Sequence, residues 1–163
     1  MRNGILREGS IVGVLGATSV AVWFFIIDLV LRHPFQTPIG LGRGFFTLFG
    51  QTTTRDSDLL VVIGYTVVHY LAFIIAGIVI AAVVNWAHRQ PTVLAGGLIL
   101  FIVLEVAFYG IISVLIHVPV LGVLAWYNVA VGNLIAAVVM GIYIRRVHPH
   151  LAADLAYALE GKE

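Results

Sequence analysis

Four long apolar runs dominate the chain, and short polar stretches separate them. The runs occupy residues 11–31, 59–84, 93–114 and 121–144. A helix needs about 20 predominantly apolar residues to cross a bilayer, so each run is long enough. The alternation of apolar and polar residues that marks a membrane β-strand is missing from all of them. The pattern predicts an all-α membrane protein, with one domain over residues 1–163 and four transmembrane helices in an antiparallel bundle.

The composition supports this class. Of the 163 residues, 61% are hydrophobic and 10% are charged, whereas an ordinary soluble domain has about 25% charged residues. The polar side chains are too few to cover a water-facing surface. The net charge of +1 gives no field that would attract nucleic acid. The absence of cysteine excludes disulfides and thiolate metal sites.

The distribution of lysine and arginine predicts the orientation. With four spans, both termini and the 85–92 turn share one side of the membrane. That side has six cations and the other has three; they are Arg2, Arg7, Arg89, Arg145, Arg146 and Lys162 against Arg32, Arg43 and Arg55. Cytoplasmic loops carry the excess of Lys and Arg. We therefore expect an integral, multi-pass protein of a cell membrane with the N- and C-termini in the cytoplasm.

The outer loop, residues 32–58, is too long to be a simple turn, and such loops tend to be functional or disordered. Its apolar side chains would bury well at a membrane interface; they are Phe45, Phe46, Leu48 and Phe49. We expect a short interfacial helix here, resting on lipid or on a partner protein. An irregular packed loop is the alternative.

The cytoplasmic tail, residues 145–163, contains one apolar stripe. Leu151, Leu155 and Leu159 follow one another at intervals of four residues. This spacing places the three side chains on one face of a helix. It predicts a short amphipathic helix on the cytoplasmic surface.

Small residues recur at four-residue spacing in three of the predicted spans. Within a bilayer, such residues let helix backbones approach closely and carry much of the association. The sets are Gly13, Ala17 and Ala21 in the first span, Ala72 and Ala76 in the second, and Gly132 and Ala136 in the fourth. The second and fourth spans have further small residues beside these sets. Two small faces on one helix allow contacts within the bundle and with another subunit.

The sharpest candidate site is Glu105, which lies near the middle of the third apolar run. A charged side chain at the bilayer centre costs about 2.5–3.5 kcal/mol on the insertion scale, and such residues are usually paired or functional. Other polar groups fall at a similar depth in the second, third and fourth spans. With Glu105 they form a predicted intramembrane cluster: His69, Tyr65, Tyr109, Asn128 and Asn133.

These groups are expected to face one another, with a Glu105–His69 interaction as the working hypothesis. The first interpretation is that the cluster fixes helix register through hydrogen bonds. A proton or ion path through Glu105, a cofactor or pigment at His69, and a polar contact with a partner subunit stay open as alternatives. Nearer the outer boundary, Asp28 is expected to pair with Arg32, one helical turn away.

No cofactor, metal site or catalytic residue is predicted. A haem held between two histidines needs both imidazoles at nearly equal depth, and His69 has no such mate, because the other histidines fall at the membrane boundaries. Ligation of haem or chlorophyll by His69 alone stays open. Searches for phosphate-binding glycine loops and for zinc or di-metal motifs find nothing.

The sequence therefore predicts a non-enzymatic function. The leading hypothesis is a small structural or accessory membrane subunit that assembles into a homo-oligomer or a larger membrane complex. Its partners would be the lipid bilayer and either other membrane subunits or copies of itself. An oligomeric proton or ion channel or transporter that uses the Glu/His/Asn cluster is the first alternative. A haem- or pigment-binding membrane protein is the second.

Overall fold

The computed structural model describes residues 2–50, 57–87, 126–149 and position 153. Four helices lie in these ranges: α1 (Arg2–Val30), α2 (Gln36–Leu48), α3 (Asp58–Ala87) and α4 (Trp126–Val147). This part of the chain contains no strand, which confirms the all-helical prediction for it. Three of the helices, α1, α3 and α4, are long and apolar enough to cross a membrane. The protein is thus compatible with the membrane class.

The three long helices correspond to the first, second and fourth apolar runs. α1 begins at Arg2 rather than at position 11, because the polar residues ahead of the run continue the helix. α4 likewise extends past position 144 to Val147. The third run, 93–114, lies outside the described residues. So does the tail with Leu151, Leu155 and Leu159.

α1 is the central helix. It packs most extensively against α3 and also against α4, while α2 packs mainly against α3. α1 and α3 are antiparallel, since Gly9 lies beside Ile78 and Gly13 lies beside Phe73 and Ile74.

α4 is antiparallel to α1 as well. Gly16 lies beside Met140, and Glu8 bonds His148. The start of α1 therefore lies at the same end of the bundle as the last residues of α3 and α4. We call this the inner end, and the opposite end, where α1 finishes and α3 and α4 begin, the outer end.

The hydrophobic core lies mainly along the contact between α1 and α4, and Val84 of α3 joins it. Its buried side chains are Val12, Val20, Phe24, Val84, Ala136, Met140 and Ile144. Away from this core, α3 presents large apolar side chains at four-residue intervals, and all of them are more than half exposed: Ile63, Val67, Leu71, Ile75 and Val79. A continuous apolar face of this kind is typical of a helix surface that contacts lipid or another subunit.

The chain leaves α1 through a tight turn. Arg32 adopts a left-handed conformation with φ of 61°. The Arg32 N–H bonds the Leu29 carbonyl at 3.1 Å, and the His33 N–H bonds the Asp28 carbonyl at 3.0 Å. These two bonds form a Schellman motif, which satisfies carbonyls that the end of a helix leaves without partners.

The carboxylate of Asp28 holds the start of α2. Its two oxygens accept hydrogen bonds from the Thr37 backbone N–H at 2.9 Å and from the Thr37 hydroxyl at 2.7 Å. Asp28 is fully buried and Thr37 is 2% exposed. The expected Asp28–Arg32 pair is therefore wrong. The chain turns after α1 so that the backbone N–H of Thr37, near the start of α2, bonds Asp28, whereas Arg32 is exposed to solvent.

α2 lies against the first two turns of α3. Gly42 packs on Val61 and Tyr65, and the ring of Phe46 packs on Gly64. An exposed ion pair joins Arg43 to Asp58 at 2.5 Å. The hydroxyl of Ser57 accepts a weak hydrogen bond from the Leu60 N–H at 3.4 Å, as expected of an N-cap residue.

The segment 32–58, predicted as an outer loop, thus contains a helix in its described part. Within it the Phe45 ring contacts Phe46 edge-on and Phe49 at a ring-centroid distance of 5.0 Å. The side chain of Leu48 is outside the description. That this helix rests on the membrane surface stays a prediction.

Candidate functional site

A polar cluster joins α1 and α3 midway along their contact. It consists of Thr18 on α1 and of His69 and Tyr70 on α3, together with the carbonyls of Val14 and Ala17. We call this group the α1–α3 polar cluster.

Glycine brings the two helices close enough for these bonds to form. A Cβ atom built on Gly13 would lie 2.7 Å from the backbone nitrogen of Ile74. One built on Gly77 would lie 2.9 Å from the Cα atom of Gly13. Real Cβ atoms do not approach backbone so closely, so only glycine fits. This is the close packing of backbones that small residues permit in membrane helix pairs.

The His69 ring bridges the two helices. Its Nε2 atom lies 3.1 Å from the carbonyl oxygen of Ala17, which is buried. A carbonyl oxygen only accepts, so we assign the proton to Nε2, and Nδ1 of the neutral ring is then an acceptor. Tyr65 stacks on the ring at a centroid distance of 5.9 Å, and Phe73 contacts it at 4.8 Å.

A second hydrogen-bond chain lies beside His69. The Thr18 hydroxyl donates to the Val14 carbonyl at 2.8 Å. The Tyr70 hydroxyl lies 3.0 Å from the same Thr18 oxygen. Because the single Thr18 proton is used on Val14, Tyr70 is the donor in the second bond. The bonds therefore run from Tyr70 to Thr18 to the α1 backbone, and they link two helices on an exposed face.

The structure describes four of the six residues of the predicted intramembrane cluster. Tyr65 and His69 lie one helical turn apart on α3, and their rings stack. Asn128 lies on the α1–α4 contact, where its backbone carbonyl accepts the Trp23 indole N–H at 2.9 Å. Asn133 also takes part in an interaction. Glu105 and Tyr109 lie outside the described residues, so the Glu105–His69 hypothesis stays a prediction.

Sequence analysis did not single out Thr18 or Tyr70. Both could have been identified as polar side chains within apolar runs, because a threonine or tyrosine in a membrane needs a hydrogen-bond partner. Gly9 was also missed, because it precedes the first run. Its spacing from Gly13 makes a G-x-x-x-G pattern, which could have identified it.

The predicted small residues have two environments. Gly13 and Ala17 are buried where α1 meets α3, and Gly132 and Ala136 are buried where α4 meets α1. The remaining three are exposed: Ala21, Ala72 and Ala76. The exposed residues make no close helix contact of the kind that Gly13 makes, so their role in packing stays a prediction.

A second polar contact joins α1 to the end of α4 at the inner end of the bundle. His148 Nε2 lies 2.8 Å from a carboxylate oxygen of Glu8, and both side chains are only about one-seventh exposed (15% and 14%). The contact joins the first turns of α1 to the residue that follows α4. The sequence placed His148 at the inner boundary and gave it no partner.

The polar side chains of the α1–α3 polar cluster are engaged in hydrogen bonds. His69 uses Nε2 on a backbone carbonyl, so only Nδ1 could ligate a metal without breaking that bond. Within the described ranges there is no group of three or more His, Asp or Glu side chains that could hold a metal ion, and every buried side-chain nitrogen or oxygen has a partner.

No protein-family model matches the chain, and no curated protein or solved structure is significantly similar to it. The functional proposal therefore rests on geometry alone.

Proposed function

We propose that this chain is a small, non-enzymatic structural or accessory subunit that assembles within a membrane with other subunits or with copies of itself. The observation that carries the proposal is that polar side chains of the long helices bond one another or the backbone of a neighbouring helix. His69, Thr18 and Tyr70 bond the α1 backbone or one another, and Trp23 bonds α4. Polar residues on a transport path face a water-filled cavity or bind the transported species. Here they hold helices together.

The outer surfaces of α3 and α4 support assembly. Each of these helices has one pair of small residues buried within the bundle, Gly77 and Ala81 on α3 and Gly132 and Ala136 on α4. Each also has a second pair that is exposed: Ala72 and Ala76 on α3, and Ala137 and Gly141 on α4. Small exposed faces beside large apolar side chains suit close packing against further membrane helices.

A fourth span is part of the proposal. α3 ends at the inner end of the bundle, and α4 begins at the outer end. Residues 88–125 must therefore connect opposite ends of a bundle whose helix α4 has 22 residues, which is about 33 Å at the usual helical rise. The apolar run 93–114 is long enough to cross this distance as a transmembrane helix. It would also place Glu105 inside the bilayer.

The proposed orientation puts both termini in the cytoplasm and α2 at the outer interface. The count of cations supports this orientation. Among the described residues, the outer end has Arg32 and Arg43, and the inner end has Arg2, Arg7, Arg145 and Arg146. The positive-inside rule assigns the end with more Lys and Arg to the cytoplasm.

Native mass spectrometry on protein extracted gently from its own membrane tests the proposal, with an absorption spectrum of the same sample. We expect copurification with other membrane subunits or a defined oligomer, and no visible absorption band. A lone monomer under these conditions contradicts the assembly proposal. A visible band retained by the chain alone supports a cofactor site instead. A colourless closed ring of identical chains would favour the channel alternative, and flux measurements on Glu105→Gln would then decide.

A further inference from the structure

Three arginine side chains are exposed at the inner end without an acidic partner in the described residues. They are Arg7 on α1 and Arg145 and Arg146 in the last turn of α4. Only three carboxylates lie in the described ranges, Glu8, Asp28 and Asp58. Asp28 and Asp58 belong to the outer end. Glu8 is the remaining one, and it bonds His148.

The Glu8–His148 contact matters for these arginines in two ways. It directs the Glu8 carboxylate to His148, so this carboxylate is bonded to the imidazole rather than to a guanidinium group. It also ties the start of α1 to the end of α4, and so places Arg7 at the same end of the bundle as Arg145 and Arg146. The three cations at this end thus come from two helices. We call Arg7, Arg145 and Arg146 the inner arginine cluster.

The cluster lies at the level where a bilayer presents its phosphates. Arg145 and Arg146 are in the last turn of a helix that is apolar enough to cross the membrane. Trp86, near the end of α3, is 57% exposed at the same end of the bundle, and tryptophan is enriched at headgroup level. A guanidinium group binds phosphate oxygens through two parallel hydrogen bonds.

We propose that the inner arginine cluster is a binding site for the headgroup of an anionic phospholipid in the adjacent leaflet. The headgroup of such a lipid has a net negative charge, because no choline cation neutralises its phosphate, and this charge pairs with the three guanidinium groups, which have no acidic partner among the described residues. Cationic residues near an anionic membrane surface each contribute about 1 kcal/mol to the attraction. The site is independent of the partner subunits proposed above, because it requires only the chain and its lipid.

Competition between two lipids with identical acyl chains tests this site. The full-length protein in a neutral detergent is mixed with equal amounts of phosphatidylglycerol and phosphatidylcholine, and native mass spectrometry counts each bound lipid. Wild-type protein should prefer phosphatidylglycerol. The double variant Arg145→Gln/Arg146→Gln should lose about thirtyfold of that preference, which is two contributions of about 1 kcal/mol each.

The matched control is Arg32→Gln/Arg43→Gln, which removes two positive charges from the outer end. It should keep the wild-type preference. Circular dichroism checks that each variant is folded. If the double variant does not fold, the single variants Arg145→Gln and Arg146→Gln replace it, each with an expected loss of about fivefold.

Inorganic phosphate distinguishes a lipid site from a general anion site. Phosphate added in excess should not displace bound phosphatidylglycerol, because the acyl chains add apolar contact that the free ion lacks. Equal binding of the two lipids to the wild-type protein overturns the proposal. So does an unchanged preference in the folded inner double variant, or complete displacement of the lipid by phosphate.

Discussion

At the scale of single residues, glycine determines how closely two helix backbones approach each other. A few polar side chains in apolar surroundings determine which hydrogen bonds join the helices. Gly13 lies so close to α3 that a methyl group would overlap the backbone of Phe73 and Ile74. Gly141, on α4, has no atom of the described residues within 4 Å of where its Cβ atom would be. The two glycines therefore form a natural test pair.

Replacing Gly13 by alanine should lower the free energy of unfolding by about 1–3 kcal/mol, because the overlap is with backbone that cannot move aside cheaply. Gly141→Ala should leave it unchanged or slightly raised, since alanine also favours helix. Chemical denaturation in detergent micelles, followed by circular dichroism, measures both. Equal stability of the two variants would show that the backbones of α1 and α3 are farther apart at Gly13 than in the structure.

The Thr18–Tyr70 hydrogen bond can be measured by a double-mutant cycle. Thr18→Val, Tyr70→Phe and the double variant should give a coupling energy of about 0.6 kcal/mol, since hydrogen bonds between membrane helices average that value and reach about 1.7. Unfolding in micelles gives the three differences. A coupling energy of zero would mean that the two hydroxyl groups do not bond in the folded protein.

At this scale the sequence identified where polar groups lie but not which atoms they reach. His69 and Tyr65 were singled out from their depth in the second apolar run, and their rings do stack. The partner of His69 is a backbone carbonyl, Ala17. Every residue has such a carbonyl, so no sequence pattern marks it. The choice depends on how far α1 and α3 slide along each other.

At the scale of elements, α2 is the unit whose place depends most on tertiary contacts. Its start is held by the buried Asp28 carboxylate and its later turns by Val61 and Tyr65. The sequence predicted a helix somewhere in the 32–58 loop from its apolar residues. It did not predict the Asp28–Thr37 contact, because a carboxylate and a threonine nine positions apart meet only after the turn at Arg32 reverses the chain.

Asp28→Ala should loosen α2 without unfolding the bundle. It leaves the N–H and hydroxyl of Thr37 buried and without an acceptor, which costs about 1–3 kcal/mol. We expect faster hydrogen exchange across α2 amides and unchanged exchange in α1 and α3. The control Arg43→Gln removes an exposed ion pair and should cost about 0–1 kcal/mol. Equal exchange in wild type and Asp28→Ala would contradict the anchoring role.

At the scale of the whole molecule, the antiparallel arrangement of α1, α3 and α4 determines which residues share a membrane face. Gly4 and Pro149 lie at the inner end, and Ser57 lies at the outer end, and all three are exposed. The chain has no cysteine. Single cysteines introduced at these positions therefore report the orientation without a background signal.

A membrane-impermeant maleimide applied to intact cells should label Ser57→Cys. Gly4→Cys and Pro149→Cys should react only after the membrane is permeabilised, because both termini are proposed to be cytoplasmic. Ala17→Cys, at a fully buried position, serves as a control and should stay unlabelled in both conditions. Labelling of Gly4→Cys in intact cells would reverse the proposed orientation.

The sequence by itself predicted the all-helical class and the positions of the three long apolar helices that the structure describes. That follows because apolar runs of bilayer length can satisfy their backbone groups in lipid only as helices or closed barrels. Tertiary structure alone decided the partners: Gly9 and Gly13 against Gly77, His69 against Ala17, Asp28 against Thr37 and Glu8 against His148. Each pair joins positions distant in sequence or on either side of a turn. Their meeting depends on helix register and rotation, which local hydrophobic patterns leave undetermined.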